Sequence, residues 1–197
     1  MYRVIGTVKS RAFRVMWMLE ELGQPYEVIP ATPRSDEARE YNPLGKIPAL
    51  VDGDDVMTDS VAIMTYLADK HGTLTAPAGT PARARQDAMT LWLIDEFDAS
   101  LWTAAKHSFV LPEKMRVPDI KPVLHKEFTR NADTFAGLLD AAGGAFIMGD
   151  DITLPDLLAV HCLGWAFAAE FPALPDTLKD YTKRLRARPQ FRAATEH

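Results

Sequence analysis

Between Gly45 and Leu67 the chain reads GKIPALVDGDDVMTDSVAIMTYL, and few backbone arrangements accommodate that order. Pro48 interrupts an extended apolar run, and an X-Pro bond is the only peptide bond that adopts cis at modest cost. A cis bond here turns the peptide groups of Ile47 away from a sheet ladder and leaves them to the backbone of a bound peptide. Ala49–Val51 and Val56–Met57 flank Asp52-Gly53, a strong hairpin signal. Thr58, Asp59 and Ser60 fall where a helix begins, and the free N–H groups and positive dipole end there attract a carboxylate. A proline before a strand and an Asp-Ser helix cap are each ordinary by themselves. Their succession predicts a pocket for a small, anionic, peptide-like ligand.

The flanking segments extend this pattern in both directions. Tyr2–Thr7 reads as a first strand, Ser10 as the cap of a helix over Phe13–Leu22, and Gly23 as its stop. Tyr26–Ile29 predicts a second strand, parallel to the first if the helix is a crossover. Ser35 caps a short helix, Asp36–Tyr41, that Asn42-Pro43 ends. A helix from about Asp59 to Lys70 closes the unit at Gly72. The order βαβ, hairpin, helix is the thioredoxin-like arrangement.

Thr73–Pro81 (TLTAPAGTP) is small, proline-rich and aperiodic, which places a domain boundary there, between residues 1–75 and 82–197. The second part reads as all-helical. Ala82–Lys106 carries Met89, Trp92, Leu93, Phe97, Leu101 and Trp102 at helical spacing. Ser108–Pro118 reads as a loop and Ile120–Ala142 as a second long helix. Thr153 and Asp156 form a capping box with Pro155 in the first turn. Pro175–Arg188 reads as a final helix stopped by Pro189, with the basic run KRLRARPQFR as a solvated face.

The 197 residues suffice for one large or two small domains, and a net charge of −5 argues against nucleic acid or an anionic membrane as the main partner. No apolar run approaches the ~20 residues of a membrane span, and MYRVIGTVKSR lacks the hydrophobic region of an export signal. A single cysteine, Cys162, forms no internal disulfide and no Cys-x-x-Cys pair, as suits a reducing cytoplasm. It reads as a small buried hydrophobe. The histidines are scattered, so no metal site is expected.

These residues, with GTVKSRAFRVMWMLEELGQPYEV at Gly6–Val28, closely resemble the N-terminal domain of cytosolic glutathione S-transferases. FIMGDDITLPDLLAV, Phe146–Val160, resembles the helix-start motif of that family's C-terminal domain. The resemblance implies a detoxifying, homodimeric cytoplasmic transferase. It would bind glutathione as co-substrate, without a metal, and join its thiolate to a small hydrophobic electrophile. A binding or scaffold module, or a glutathione-dependent isomerase or peroxidase of the same fold, remain the alternatives.

The resemblance is to the serine-type, theta-like members, in which a hydroxyl at the start of the first helix donates to the glutathione sulfur. Ser10 stands four residues before Arg14, as in those enzymes. Lowering a thiol pKa by ~2 units takes roughly 2.7 kcal/mol, and one hydrogen bond to a charged acceptor supplies ~1.5–3 kcal/mol. Thr7 competes for this role, whereas Tyr2 sits too early. By the same resemblance, the Ile47 backbone pairs with the cysteinyl unit beside Pro48, and Ser60 binds the γ-glutamyl carboxylate. Asp59 orients the α-amino group, Lys46 offsets carboxylate charge, and Arg34 reaches the glycine carboxylate. Trp102, His107 and Phe109 are the candidates for the hydrophobic substrate, between the domains.

Overall fold

The computed structural model describes all of residues 1–197, and these divide into two compact units, Met1–Ala78 with Leu185–His197, and Gly79–Arg184. In the first, β1 (Tyr2–Ile5), α1 (Ala12–Glu21), β2 (Tyr26–Ile29) and α2 (Asp36–Tyr41) lead to the hairpin β3 (Ala49–Asp52) and β4 (Asp55–Thr58), then α3 (Ser60–His71). The four-stranded sheet has the order β2-β1-β3-β4. β2 runs parallel to β1, and β3 antiparallel to both β1 and β4. This is the thioredoxin-like arrangement. Its core joins Val4, Ile5 and Leu50 of the sheet to Val15, Met16 and Leu19 of α1 and Ile63, Met64 and Leu67 of α3, all without solvent exposure.

Local signals account for the element ends. α1 closes where Gly23, at φ 62°, lets its N–H reach the Glu20 carbonyl and that of Gln24 the Leu19 carbonyl, a Schellman pairing. Ser35 accepts the Ala38 N–H at the head of α2. The hairpin loop is Gly53-Asp54, because Asp52 pairs with Asp55, and Gly53 takes φ 63°. The Asp-Gly signal therefore marks the hairpin one position early.

The second unit is helical: α4 (Pro81–Leu93), α5 (Ala99–Ala105), α6 (Lys121–Ala142), α7 (Leu154–Ala168) and most of α8 (Asp176–Arg186). Phe97, Phe128 and Phe135 fill its interior, the first two with ring centres 4.9 Å apart. Wider π turns at Ile94–Asp98 and Lys106–Val110 flank α5, so helical backbone reaches Val110 instead of giving way to a loop at Ser108. The stop falls at Leu111, extended at ψ 152° before Pro112, where the proline ring disfavours the helical conformation. Buried Asp156, at the head of α7, accepts the N–H groups of Thr153 and Ile147 and the hydroxyls of Thr153 and Tyr181.

The end of the chain departs from expectation. Pro189 does not stop the last helix of the sequence but heads a further one, α9 (Pro189–Ala194), from its first position. Residues 185–197 belong with the first unit, not with the helical one as a boundary running to residue 197 implies. Phe191 sets its ring edge-on to Phe13 and Trp17 at 5.0 and 4.9 Å, and Arg188 makes a bidentate pair with Glu21 at 2.7 and 2.6 Å. The basic run is thus not simply a solvated face. No helix is long and apolar enough to cross a membrane.

Candidate functional site

The sheet register gathers three chain segments at one end of the first unit. Ile5, last in β1, pairs with Ala49, first in β3, and Ala49 pairs on its other side with Thr58, last in β4. The segments Gly6–Ser10, Lys46–Pro48 and Asp59–Ser60 therefore emerge side by side. Gly6 makes the approach possible: at φ 148°, an added Cβ would lie 2.6 Å from the Ala12 Cβ and 3.6 Å from that of Ile47.

Ser10 turns the chain from β1 into α1. Its hydroxyl oxygen accepts the Ala12 N–H at 3.1 Å and its hydroxyl donates to the Thr7 carbonyl at 2.8 Å. The N-cap position itself falls to Arg11, one residue later than the expected Ser10 and without a side-chain cap bond, because α1 begins at Ala12; Ser10 accepts from the turn that leads into it. Its proton rests on a neutral carbonyl, which an ionised acceptor outcompetes. The Thr7 carbonyl is the acceptor that holds the Ser10 hydroxyl in this position.

The Ile47-Pro48 bond is cis, and the backbone N–H and C=O of half-buried Ile47 have no hydrogen-bond partner in the chain. Asn42, 6% exposed, supports the preceding loop by donating to the Lys46 carbonyl at 3.1 Å and accepting the Leu44 N–H. Lys46 itself is exposed. Arg34 is tied in through its backbone, N–H to the Gly45 carbonyl at 2.7 Å, with φ 72° and an exposed side chain. Asn42 reads in the sequence only as a helix stop, since an Asn-Pro pair ends helices whatever the amide then does.

At the head of α3, Asp59 caps the helix from φ 71°, its Oδ1 accepting the N–H groups of Val61 and Ala62 at 2.9 and 3.1 Å. The N–H of Ser60, next in line, has no acceptor in the chain. Ser60 is 3% exposed, and its hydroxyl oxygen accepts from Nη1 of Arg14 at 3.2 Å. Arg14 is completely buried. Within Phe13–Val15 it reads as one charged position on an otherwise apolar helix, so sequence reasoning uses it only to count spacing.

The remaining candidates belong to the helical unit. Trp102 of α5 is 38% exposed and Phe109 is 70% exposed, seven residues further along the same helical stretch. His107 accepts the Val117 N–H on Nδ1 at 3.1 Å, which occupies one ring nitrogen in holding the loop. An open depression of about 480 Å³ in the same unit is lined by Asp140, Tyr181 and Arg184 among others and includes none of the candidates. No group of three His, Cys, Asp or Glu side chains is placed to hold a metal ion.

A thioredoxin-like sheet with unpaired peptide groups beside a cis-proline, a helix-capping Asp-Ser pair and a helical second unit together define a class of two-unit proteins, thioredoxin-like then all-helical. Residues 10–78 match the family model "Glutathione S-transferase, N-terminal domain". A zeta-class glutathione S-transferase of Euphorbia esula is 31% identical over 86% of this chain and 79% of its own length. A glutathione transferase from Methylococcus capsulatus superposes with a TM-score of 0.85, at 24% identity, covering all of this chain and 98% of that one. A theta-class enzyme of Xanthomonas axonopodis, solved with glutathione bound, gives 0.78 at 23% identity over all of this chain and 97% of that one. The chain belongs to the glutathione S-transferase family.

Proposed function

We propose that this protein is a glutathione transferase that ionises the glutathione thiol at Ser10 and directs it at a small hydrophobic electrophile. The observation that carries this reading is the convergence, at one sheet end, of a hydroxyl, a free peptide edge and a helix start. The N–H and C=O of Ile47 match the hydrogen-bonding pattern of an extended cysteinyl residue. The N–H and hydroxyl of Ser60, at the positive end of α3, suit the γ-glutamyl carboxylate. Asp59 spends Oδ1 on its helix and has Oδ2 for the α-amino group. Lys46 and Arg34 add positive charge near the loop that would face the glycine end.

Thiol activation then needs no metal and no base. Turning from the Thr7 carbonyl to a thiolate, the Ser10 hydroxyl exchanges a neutral acceptor for a charged one. The difference, ~1–2 kcal/mol, favours the ionised sulfur. Holding both reactants together supplies the rest of the rate. Trp102 and Phe109 offer the exposed aromatic surface that a hydrophobic electrophile needs, with His107 between them in sequence. A cytoplasmic homodimer completes the reading, and a single buried cysteine outside any disulfide suits that compartment.

The test is retention on immobilised glutathione, elution by free glutathione, and conjugation of an activated aryl halide followed by thiol consumption. Retention with turnover is expected. A protein that binds the matrix without consuming thiol is a binding module, and one that does neither shares only the shape of its family.

A further inference from the structure

We propose that Arg14 is a positioning residue, which holds the Ser60 hydroxyl as an outward hydrogen-bond donor to the γ-glutamyl α-carboxylate and thereby sets affinity for glutathione. The inference rests on the reading of Ser60 above and adds to it a residue that would not itself touch the ligand. A hydroxyl has one proton and two lone pairs, whereas a guanidinium only donates. The bond from Arg14 Nη1 to Ser60 Oγ therefore uses the oxygen as acceptor and commits the hydroxyl proton elsewhere. Serines in helices otherwise tend to turn that proton inward to a nearby carbonyl. A carboxylate arriving at such a serine would meet lone pairs.

Burial sharpens the effect. Arg14 has no solvent exposure and Ser60 only 3%, so the guanidinium charge beneath the hydroxyl is poorly screened. Arg stays charged at any accessible pH. An anion docked on the Ser60 N–H and O–H would sit one hydroxyl away from a fixed cation. Arg14 lies on α1, four positions after Ser10, and its bond to Ser60 runs to α3, toward the carboxylate end of the ligand. Its influence is accordingly assigned to binding, and thiol ionisation is left to Ser10.

Calorimetry with two peptides separates these roles. One is S-methylglutathione; the other is the same molecule without the γ-glutamyl α-carboxylate. Arg14→Met, an uncharged side chain of similar length, should weaken S-methylglutathione about tenfold and the decarboxylated peptide less than twofold. In a Ser60→Ala background the same change should cost less than twofold, because the shared hydroxyl is gone. KM for glutathione should rise about tenfold while kcat at saturation and the pH at which turnover inflects stay put. Equal losses for both peptides, an undiminished loss in the Ser60→Ala background, or a moved inflection would overturn the proposal.

If Arg14→Met does not fold, as circular dichroism would show, Arg14→Lys keeps the charge and is read against the same pair. A loss of about threefold confined to the carboxylate-bearing peptide is expected, and an indiscriminate loss refutes it. If the parent protein does not distinguish the two peptides, the γ-glutamyl reading of Ser60 fails and takes this inference with it. If the parent distinguishes them and Arg14→Met does so equally well, the inference about Arg14 fails alone.

Discussion

At Ser10 a single hydroxyl has two duties, and the two are separable by experiment. Its oxygen accepts the Ala12 N–H at the entry to α1 while its proton rests on the Thr7 carbonyl. Ser10→Ala removes both bonds. The loss of the bond from Ala12 costs about 1 kcal/mol of stability. The loss of the thiolate bond should lower turnover of an activated aryl halide at neutral pH about tenfold and raise the bound thiol's pKa by about one unit. Below that pKa fewer sulfurs are ionised, so the deficit should shrink as the pH rises through it. A pH–rate profile that keeps its inflection in Ser10→Ala would move thiol activation to another donor. The hydroxyl was legible in the sequence because small polar residues favour helix starts. Arg14 was not, since a period of apolar positions says which face is buried but not that a cation lies within it. The bond to Ser60, 46 residues away, is one that a linear pattern cannot announce.

α3 shows how an element holds a site in place from its far end. Asp59 fixes its first turn, Gly72 closes it at φ 65°, and near the close Lys70 and Tyr66 both reach Asp52 at the end of β3. The Lys70 ammonium, and after it the Tyr66 hydroxyl, hold the Asp52 carboxyl below the usual carboxylate range. A carboxyl whose pKa is lowered by folding stabilises the fold above its unfolded value, near 3.9, and loses that contribution as the pH falls through its folded value. Asp52→Asn should therefore melt at a lower temperature than the parent at pH 7, with the gap closing in acid below about pH 4. A gap that is constant with pH would mean that the ionised carboxylate contributes no more to the fold than its protonated form, and the bonds from Lys70 and Tyr66 do not stabilise it. The caps, the helix and the hairpin were readable from local chemistry. The pairing of Asp52 with Asp55, which puts Gly53-Asp54 in the loop, was not, because an Asp-Gly pair fits more than one register. The same limit applies to the helical unit, where the π turns around α5 depend on packing that no spacing of apolar residues reveals.

The chain as a whole begins and ends in the same unit, and its last thirteen residues, Leu185–His197, return to α1 after the helical unit is complete. The return is anchored at Glu21, whose side chain is only 3% exposed and accepts from the Trp17 indole as well as from Arg188. Nothing local announces this contact: Glu21 and Arg188 are 167 positions apart, and arginines in a basic run look solvated until a distant carboxylate claims one. The arrangement makes a definite energetic claim. Removing Arg188 would strand a nearly buried carboxylate with one neutral donor, at a cost of about 2 kcal/mol once the partial exposure of the arginine is allowed for. Replacing both partners with uncharged side chains would leave nothing stranded. In denaturant unfolding, Arg188→Ala should therefore be less stable than the double variant Glu21→Gln/Arg188→Met. Phe191→Ala, which removes the aromatic edge against Phe13 and Trp17, should cost a further ~2 kcal/mol in either background. A double variant no more stable than Arg188→Ala would mean that the pair, and not the stranded charge, is what fastens the end of the chain to the helix that bears Arg14 and follows Ser10.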